Sequence, residues 1–133
     1  MIPPFDDSGH LPPGIHPATL AEIEARFGTP SELRRVEMES VRWMVDLAIR
    51  AGVQRIVLNG SFVTDIMEPN DVDCVLLFRP AQRRDSGALR ELLAGLPFLA
   101  MDIVRRKRFQ QYVTRIFAYD RDEAPKGMVE VLI

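Results

Sequence analysis

Arg55-Ile-Val-Leu-Asn-Gly-Ser61 is a short, β-branched segment that ends in a glycine-serine pair. Glycine bounds residues 55–59 on both sides, at Gly52 and Gly60, so these five residues are predicted to form a short buried strand. About ten residues further on, Asp71-Val-Asp-Cys-Val-Leu-Leu-Phe78 is apolar after its first three residues and predicts a second buried strand. The two strands form the centre of the predicted fold.

Helical patterns surround these strands. Apolar residues recur at three- and four-residue spacing over residues 33–51 and predict a long amphipathic helix. Shorter helices are predicted after the capping box at Thr19, after a cap at Ser86, and over residues 109–117. Two more strands are predicted, at residues 98–104 and 128–133. Helices that interleave with strands predict an α/β (α+β) fold, with a small mixed sheet of about four strands flanked by helices.

The ends and the composition set the domain organisation. Residues 1–17 are predicted to be an extended proline-rich arm, because their prolines disfavour both helix and ladder hydrogen bonds. Residues 18–133 have the length of a single domain. With a net charge of −2, the chain as a whole has no electrostatic attraction to duplex nucleic acid. The single cysteine and the lack of a long apolar run predict a protein of the reducing cytoplasm with no membrane partner.

Carboxylates separated by one residue occur at several places, and only Asp71 and Asp73 lie at the mouth of an apolar strand. The two-residue period of a strand directs both carboxylates to one face, where like charges are unfavourable without a cation. Glu37 and Glu39 fall within a helix, where residues two apart point to different faces. Asp71 and Asp73 are therefore the candidate ligands of a divalent metal.

Gly60 and Ser61 form the other half of the candidate site. They end one strand and open a helical turn predicted to run to residue 67, so that its amides and the Ser61 hydroxyl could donate to phosphate oxygens. A third carboxylate, Asp102, interrupts the apolar run 98–104, and a charge within a buried strand needs a partner. A metal at the acidic pair would be that partner.

Leu58-Asn-Gly-Ser-Phe62 and Asn70-Asp-Val-Asp-Cys-Val-Leu76 together resemble the signature of the DNA polymerase beta-like nucleotidyltransferase superfamily. In that signature a hydrophobic residue, glycine and serine precede an Asp-x-Asp strand by about ten positions. Asp102 matches its third carboxylate. Ile2-Pro-Pro-Phe5 and Lys126-Gly-Met-Val129 are similar to a little-characterised minimal bacterial family of that superfamily, and the likeness covers nearly the whole chain.

The resemblance implies a Mg²⁺- or Mn²⁺-dependent enzyme that transfers a nucleoside monophosphate from a nucleoside triphosphate (NTP), such as ATP, to an acceptor hydroxyl on RNA or protein. Asp71, Asp73 and Asp102 would be its catalytic and metal-binding residues. Minimal members of the superfamily commonly occur in toxin-antitoxin and defence pairs. A cognate toxin or antitoxin is therefore an implied partner. Because little chain follows Asp102, the arm, Trp43 and the basic run at 105–108 could recruit a partner or a second copy of this chain.

The segment after the serine departs from the resemblance. Many minimal nucleotidyltransferases have an arginine there, whereas this chain has Phe62-Val-Thr-Asp65. In the basic run Arg105-Arg-Lys-Arg108, Arg105 and Lys107 are the candidate nucleotide-binding residues, and the run could instead receive an RNA backbone or be a solvated helix start. Two alternatives remain: a catalytically degenerate module that binds nucleotide or a partner protein, and a hydrolytic metal site built on the same carboxylates.

Overall fold

A computed structural model describes residues 1–80 and 84–133 of the chain. Strands and helices alternate along it, which confirms the α/β fold class predicted from the sequence. The elements are β1 (Gly14–Ala18), α1 (Leu20–Phe27), α2 (Glu32–Ala51), β2 (Arg55–Asn59), a 3-10 turn (Ser61–Val63), β3 (Val72–Leu77), α3 (Ser86–Ala94), β4 (Leu99–Val104), α4 (Arg106–Gln111), a π-helical turn (Tyr112–Ile116) and β5 (Gly127–Val131).

Within the described residues, the strands form one open mixed sheet in the order β1-β5-β2-β3-β4. The central strand β2 is antiparallel to both of its neighbours, β3 and β5, and the two outer pairs are parallel. Asn59, the last residue of β2, is opposite Asp73 near the start of β3. Because the two strands run in opposite directions, the last residues of β2 and the first residues of β3 lie at the same end of the sheet.

The amino-terminal segment contributes a strand and core residues. The expectation that its prolines prevent ladder hydrogen bonds is wrong for β1, which pairs in parallel with β5 from Gly14 to Ala18. This pairing adds a fifth strand to the predicted four. Proline is tolerated there because β1 is an edge strand, whose outer side needs no donors. Ile2 and Leu11, from the same segment, are buried in the core.

Helix α2 is the longest helix among the described residues, and its ends have clear chemical causes. The Ser31 side chain accepts a hydrogen bond from the Arg34 backbone N–H (3.1 Å), and Gly52 ends the helix with a φ of 88°. Its apolar stripe packs in the larger core, on the face of the sheet that also holds Cys74 and Leu76 of β3. None of the helices formed by the described residues is long and apolar enough to cross a membrane.

The opposite face of the sheet has a smaller core beneath α4 and the π-helical turn. Its buried members are Val57, Val75, Leu77, Phe109, Val113, Phe117 and Met128. Alternation along β3 puts Asp73 on the same face as Val75, because side chains two residues apart in a strand point the same way. Asp73 is therefore on the face that α4 covers, beyond the end of this smaller core.

Three local predictions are corrected by the structure. The cap of α3 is Asp85, whose side chain accepts from the Ala88 backbone N–H, and not Ser86. The turn after Gly60 is a single 3-10 turn and does not run to residue 67. The helix predicted at residues 109–117 begins earlier and changes to a π-helical turn after Gln111.

Candidate functional site

A cleft of about 1020 Å³ opens at the end of the sheet where β2 ends and β3 begins. Gly60, Ser61, Asp71 and Asp73 all line it. The antiparallel pairing of β2 with β3 is what brings the two halves of the sequence signature together, although about ten residues separate them along the chain. The cleft therefore contains a turn suited to phosphate and a pair of carboxylates suited to a cation.

The backbone at Gly60 lies directly against the Asp73 carboxylate. Gly60 has a φ of 81°, which side chains other than glycine rarely adopt, and a Cβ there would overlap Asp73 Oδ2. Both the conformation and the lack of space require glycine at this position. The close approach fixes the turn and the carboxylate relative to one another, so any ligand of one is near the other.

The Ser61 side chain links the turn to the acidic strand. Its Oγ accepts a hydrogen bond from the backbone N–H of Asn70 (2.9 Å), the residue before Asp71. Because the hydroxyl oxygen is the acceptor in this bond, the Ser61 O–H is still able to donate. The predicted donation from Ser61 to a phosphate oxygen is compatible with this arrangement.

Lys126, a residue for which the sequence predicted no role, places a cation beside Asp73. Burial raises the pKa of Asp73, the Asp71 charge raises it further, and Lys126 opposes the shift. Burial in turn lowers the pKa of Lys126, which Asp73 and Asp120 oppose. Lys126 Nζ donates to the buried Asn59 side chain at Oδ1 (2.5 Å). The lysine is therefore a positive charge held beside Asp73.

Asp102 is exposed on the edge strand β4, so the prediction that it lies within a buried strand is wrong, and it does not line the large cleft. In the parallel pair β3/β4 it is opposite Val75, so it shares a sheet face with Asp73. Asp73 and Asp102 instead border a second cavity of about 330 Å³, where the Tyr112 hydroxyl donates to Asp102 Oδ2 (2.5 Å). This hydrogen bond raises the pKa of Tyr112. Asp73 borders both cavities and is the link between them.

Arg105 and Lys107 lie at the opposite end of the strands from the cleft. Asp73 is opposite Ala100 near the start of β4, whereas Arg105 follows Val104 at the end of the same strand. Both basic side chains are exposed, and neither lines the cleft. The structure does not bring these two predicted nucleotide-binding residues to the acidic pair.

The cleft carboxylates fit Mg²⁺ bound together with a ligand. Mg²⁺ prefers oxygen ligands and is commonly held by one or two carboxylates plus substrate phosphates. Burial and the Asp71 charge raise the pKa of Asp73, which means that the ionised carboxylate is disfavoured. A divalent cation would stabilise the ionised form. Across residues 1–80 and 84–133, no three His, Cys, Asp or Glu side chains are grouped as a metal site. Asp71 and Asp73 line the cleft and Asp102 does not, so these two carboxylates are the pair that could hold a cation there.

The Arg34 side chain is hydrogen-bonded to the backbone of the turn that contains Ser61. The side chain is 2% exposed, and all three guanidinium nitrogens donate to backbone carbonyls. The acceptors are the carbonyl oxygens of Phe27, Ser61, Phe62, Thr64 and Ile66, at 2.5 to 3.3 Å. The loop between β2 and β3 is thereby fastened to α2. The sequence interpretation missed Arg34, although its four-residue spacing to Met38 places it on the buried side of the helix.

Glu37, one turn further along α2, lines the cleft as a buried carboxyl group. Its Oε1 has no hydrogen-bond partner among the described residues. Burial raises the pKa of Glu37 to about 7, Asp71 adds to the shift and Arg34 opposes it. The four-residue spacing Leu33, Glu37, Val41 was the signal in the sequence, because it sets Glu37 within an apolar stripe.

These features define an α/β domain with a charged cleft at the end of a mixed sheet. The chain belongs to a family of unknown function, DUF6932, whose model matches residues 3–132. Among curated proteins and among solved structures, no match was found.

Proposed function

We propose that this domain is a Mg²⁺-dependent nucleotidyltransferase that binds an NTP in the cleft and transfers its nucleoside monophosphate to a hydroxyl group on RNA or protein. The observation that carries the proposal is that Gly60, Ser61, Asp71 and Asp73 line a single cleft. A glycine turn that allows close backbone approach, next to a carboxylate pair, is suited to a triphosphate with its cation. When bound, Mg²⁺ would stabilise the charge of the transferred phosphoryl group.

The residues of the chain have separate tasks in this proposal. The amides of the turn and the Ser61 hydroxyl donate to phosphate oxygens, and Asp71 and Asp73 hold the nucleotide-bound cation. Lys126 supplies the positive charge that the absent arginine would have given. The acceptor oxygen forms a bond to the α-phosphorus as the bond to the leaving pyrophosphate breaks, and the acceptor proton passes to a cleft carboxylate or to water.

A second candidate function is a module that binds a nucleotide or a partner protein without transfer. Lys126 favours it, because a lysine beside Asp73 already offsets part of the carboxylate charge that a metal would otherwise neutralise. The separation of Asp102 from the cleft favours it as well. A toxin-antitoxin or defence role in the cytoplasm remains part of the proposal for either candidate.

The test is transfer of label from each of the four NTPs, with the α-phosphate labelled, in the presence of Mg²⁺ or Mn²⁺ and total cell RNA or protein. We expect label to be transferred to one acceptor class and to be lost in Asp73→Asn. Asparagine has the same shape and removes a half-buried charge, so the variant is expected to fold. Nucleotide binding by the wild type without transfer would support the second candidate, and release of phosphate alone would indicate a hydrolytic site.

Asp46→Asn is the matched control, because Asp46 is an exposed carboxylate on α2 outside the cleft. It should keep the wild-type transfer rate. Equal transfer by Asp73→Asn and Asp46→Asn would contradict the proposal that the cleft carboxylates act on the nucleotide.

A further inference from the structure

The Glu37 carboxyl is a buried polar group that the proposed chemistry at the turn and the acidic pair does not use. The side chain is 1% exposed, it lines the cleft, and Oε1 has no hydrogen-bond partner within the part of the chain that the structure describes. Buried polar atoms in native proteins are almost always paired, so an unpaired one needs an explanation. An acceptor left unpaired beside a cleft is explained if a ligand that enters the cleft provides the donor.

A purely structural role as the counterion of Arg34 does not account for Glu37. All three nitrogens of that guanidinium already donate to backbone carbonyls. Among the ion pairs formed by the described residues within 4.0 Å, none joins Arg34 to Glu37. A carboxyl kept only to neutralise the arginine would be expected to hydrogen-bond to it.

The cleft around Glu37 is suited to a nucleoside. Leu33, one turn earlier on α2, and Ile66 and Pro69 give the cleft wall apolar surface, while Gly60 and Ser61 provide the polar end. Pockets for small molecules commonly combine apolar walls with a few placed polar groups that fix orientation. An NTP held by its phosphates at the turn has hydroxyl and amino donors left for an acceptor in the wall.

We propose that Glu37 determines nucleotide specificity by accepting, at Oε1, a hydrogen bond from a ribose hydroxyl or a base amino group of the bound NTP. This inference rests on the proposed function and names the residue that reads the nucleoside. A nucleotide that presents an apolar group to Glu37, or that lacks the donor, leaves the carboxyl buried and unpaired. The discrimination therefore comes from the cost of binding the wrong nucleotide as well as from the hydrogen bond to the right one.

The first measurement is binding of the four NTPs to the wild-type chain with Mg²⁺, by calorimetry. The tightest binder is then compared with its 2′-deoxy, its 3′-deoxy and its amino-free base analogues, which separate the two ribose hydroxyls from the base. We expect one analogue to bind about 10- to 100-fold more weakly, which is the cost of leaving a buried acceptor unpaired.

The second measurement repeats the series with Glu37→Met, which keeps the length of the side chain and removes its acceptor. The variant should bind the parent NTP and the weak analogue with equal affinity, and Glu37→Gln, which keeps an acceptor oxygen, should recover part of the difference. Glu39→Met, at an exposed position of α2, should bind the series as the wild type does.

Thermal unfolding of the ligand-free variants gives a readout that does not depend on nucleotide. Glu37→Met should raise Tm by about 4 °C, because it removes an unpaired buried polar group. A lower Tm would show that the carboxyl has a structural partner and would overturn the inference. If NTPs bind but Glu37→Met still discriminates against the same analogue, the inference alone is overturned. If no NTP binds the wild type, the proposed function fails with it.

Discussion

Arg34 and Glu37 lie one turn apart on α2, both are buried, and they differ in what surrounds their polar atoms. Arg34 donates from all three nitrogens to backbone carbonyls of the loop that carries Ser61. Glu37 leaves Oε1 without a partner among the described residues. Burying a charged group is costly unless it is fully hydrogen-bonded. The complete set of partners gives Arg34 a structural role, and our proposal for Glu37 takes its missing partner from a bound ligand.

The largest expected effect tests the structural half of this comparison. Arg34→Met removes the donors for five carbonyl groups, and we expect it to lower the free energy of unfolding by about 4 kcal/mol. Each unsatisfied carbonyl carries a desolvation cost, and water can reach only some of them. Urea denaturation monitored by circular dichroism measures the change.

Arg35→Met is the matched control, because Arg35 is the neighbouring residue on α2 and is exposed. We expect a change within about 0.5 kcal/mol, as is usual for surface substitutions. Similar losses in the two variants would mean that the loop is not held by Arg34, and the contrast with Glu37 would disappear.

Most of the fold was predictable because its signals are local. The bounds of β2 match the prediction, and α2 begins within a residue of its predicted start, since glycines and apolar spacing mark both elements. Strand β1 was missed because Gly14-Ile-His-Pro-Ala18 has neither alternation nor β-branched content beyond one residue. Its extended state depends on pairing with β5, at the other end of the chain, and no local pattern shows that contact.

The site was predictable only in part for a related reason. Gly60, Ser61 and the acidic pair share a short motif, and a motif carries its geometry in its spacing. Lys126 and Glu37 reach the same cleft from distant segments, so their roles depend on tertiary burial. Arg105 and Lys107 were predicted from charge alone, and they lie away from the cleft, because a basic run in the sequence does not reveal at which end of the strands it lies.

The next effect in size concerns the other half of the comparison and depends on pH. Burial raises the pKa of Glu37 from 4.5 to about 7, with Asp71 adding to the shift and Arg34 opposing it. Over that range the folded chain keeps a proton that the unfolded chain has lost. We compare the free energy of unfolding of the wild type with that of Glu37→Gln. The wild-type value minus the variant value should be constant below about pH 4.5, fall by up to about 3 kcal/mol as the pH rises to about 7, and be constant above that.

Urea titrations of both proteins at several pH values between 4 and 8 measure this difference, and the glutamine variant cancels the contribution of the other carboxyls, Asp73 included. A constant difference across the range would show that the Glu37 carboxyl keeps its ordinary pKa and has a partner or solvent contact. A wild-type free energy of unfolding that rose with pH relative to that of Glu37→Gln would have the wrong sign for a buried acid.

The smallest effect concerns Ser31, which acts on the same loop as Arg34. Its Oγ accepts from the Arg34 backbone N–H (3.1 Å) and donates to the Met67 carbonyl (2.9 Å). Ser31→Ala should cost about 1 kcal/mol, the usual loss of a helix cap. Thr19→Ala removes the cap of α1 at similar cost, although Thr19 makes no hydrogen bond to this loop.

Amide hydrogen exchange separates the two variants where their global stabilities do not. In Ser31→Ala the amides of residues 61–67 should exchange faster than the loss of global stability explains, because one of the bonds that fasten the loop to α2 is gone. In Thr19→Ala they should change only with global stability. Equal exchange in this loop would leave Arg34 as its anchor without help from the cap, and the first turn of α2 would then serve the helix alone.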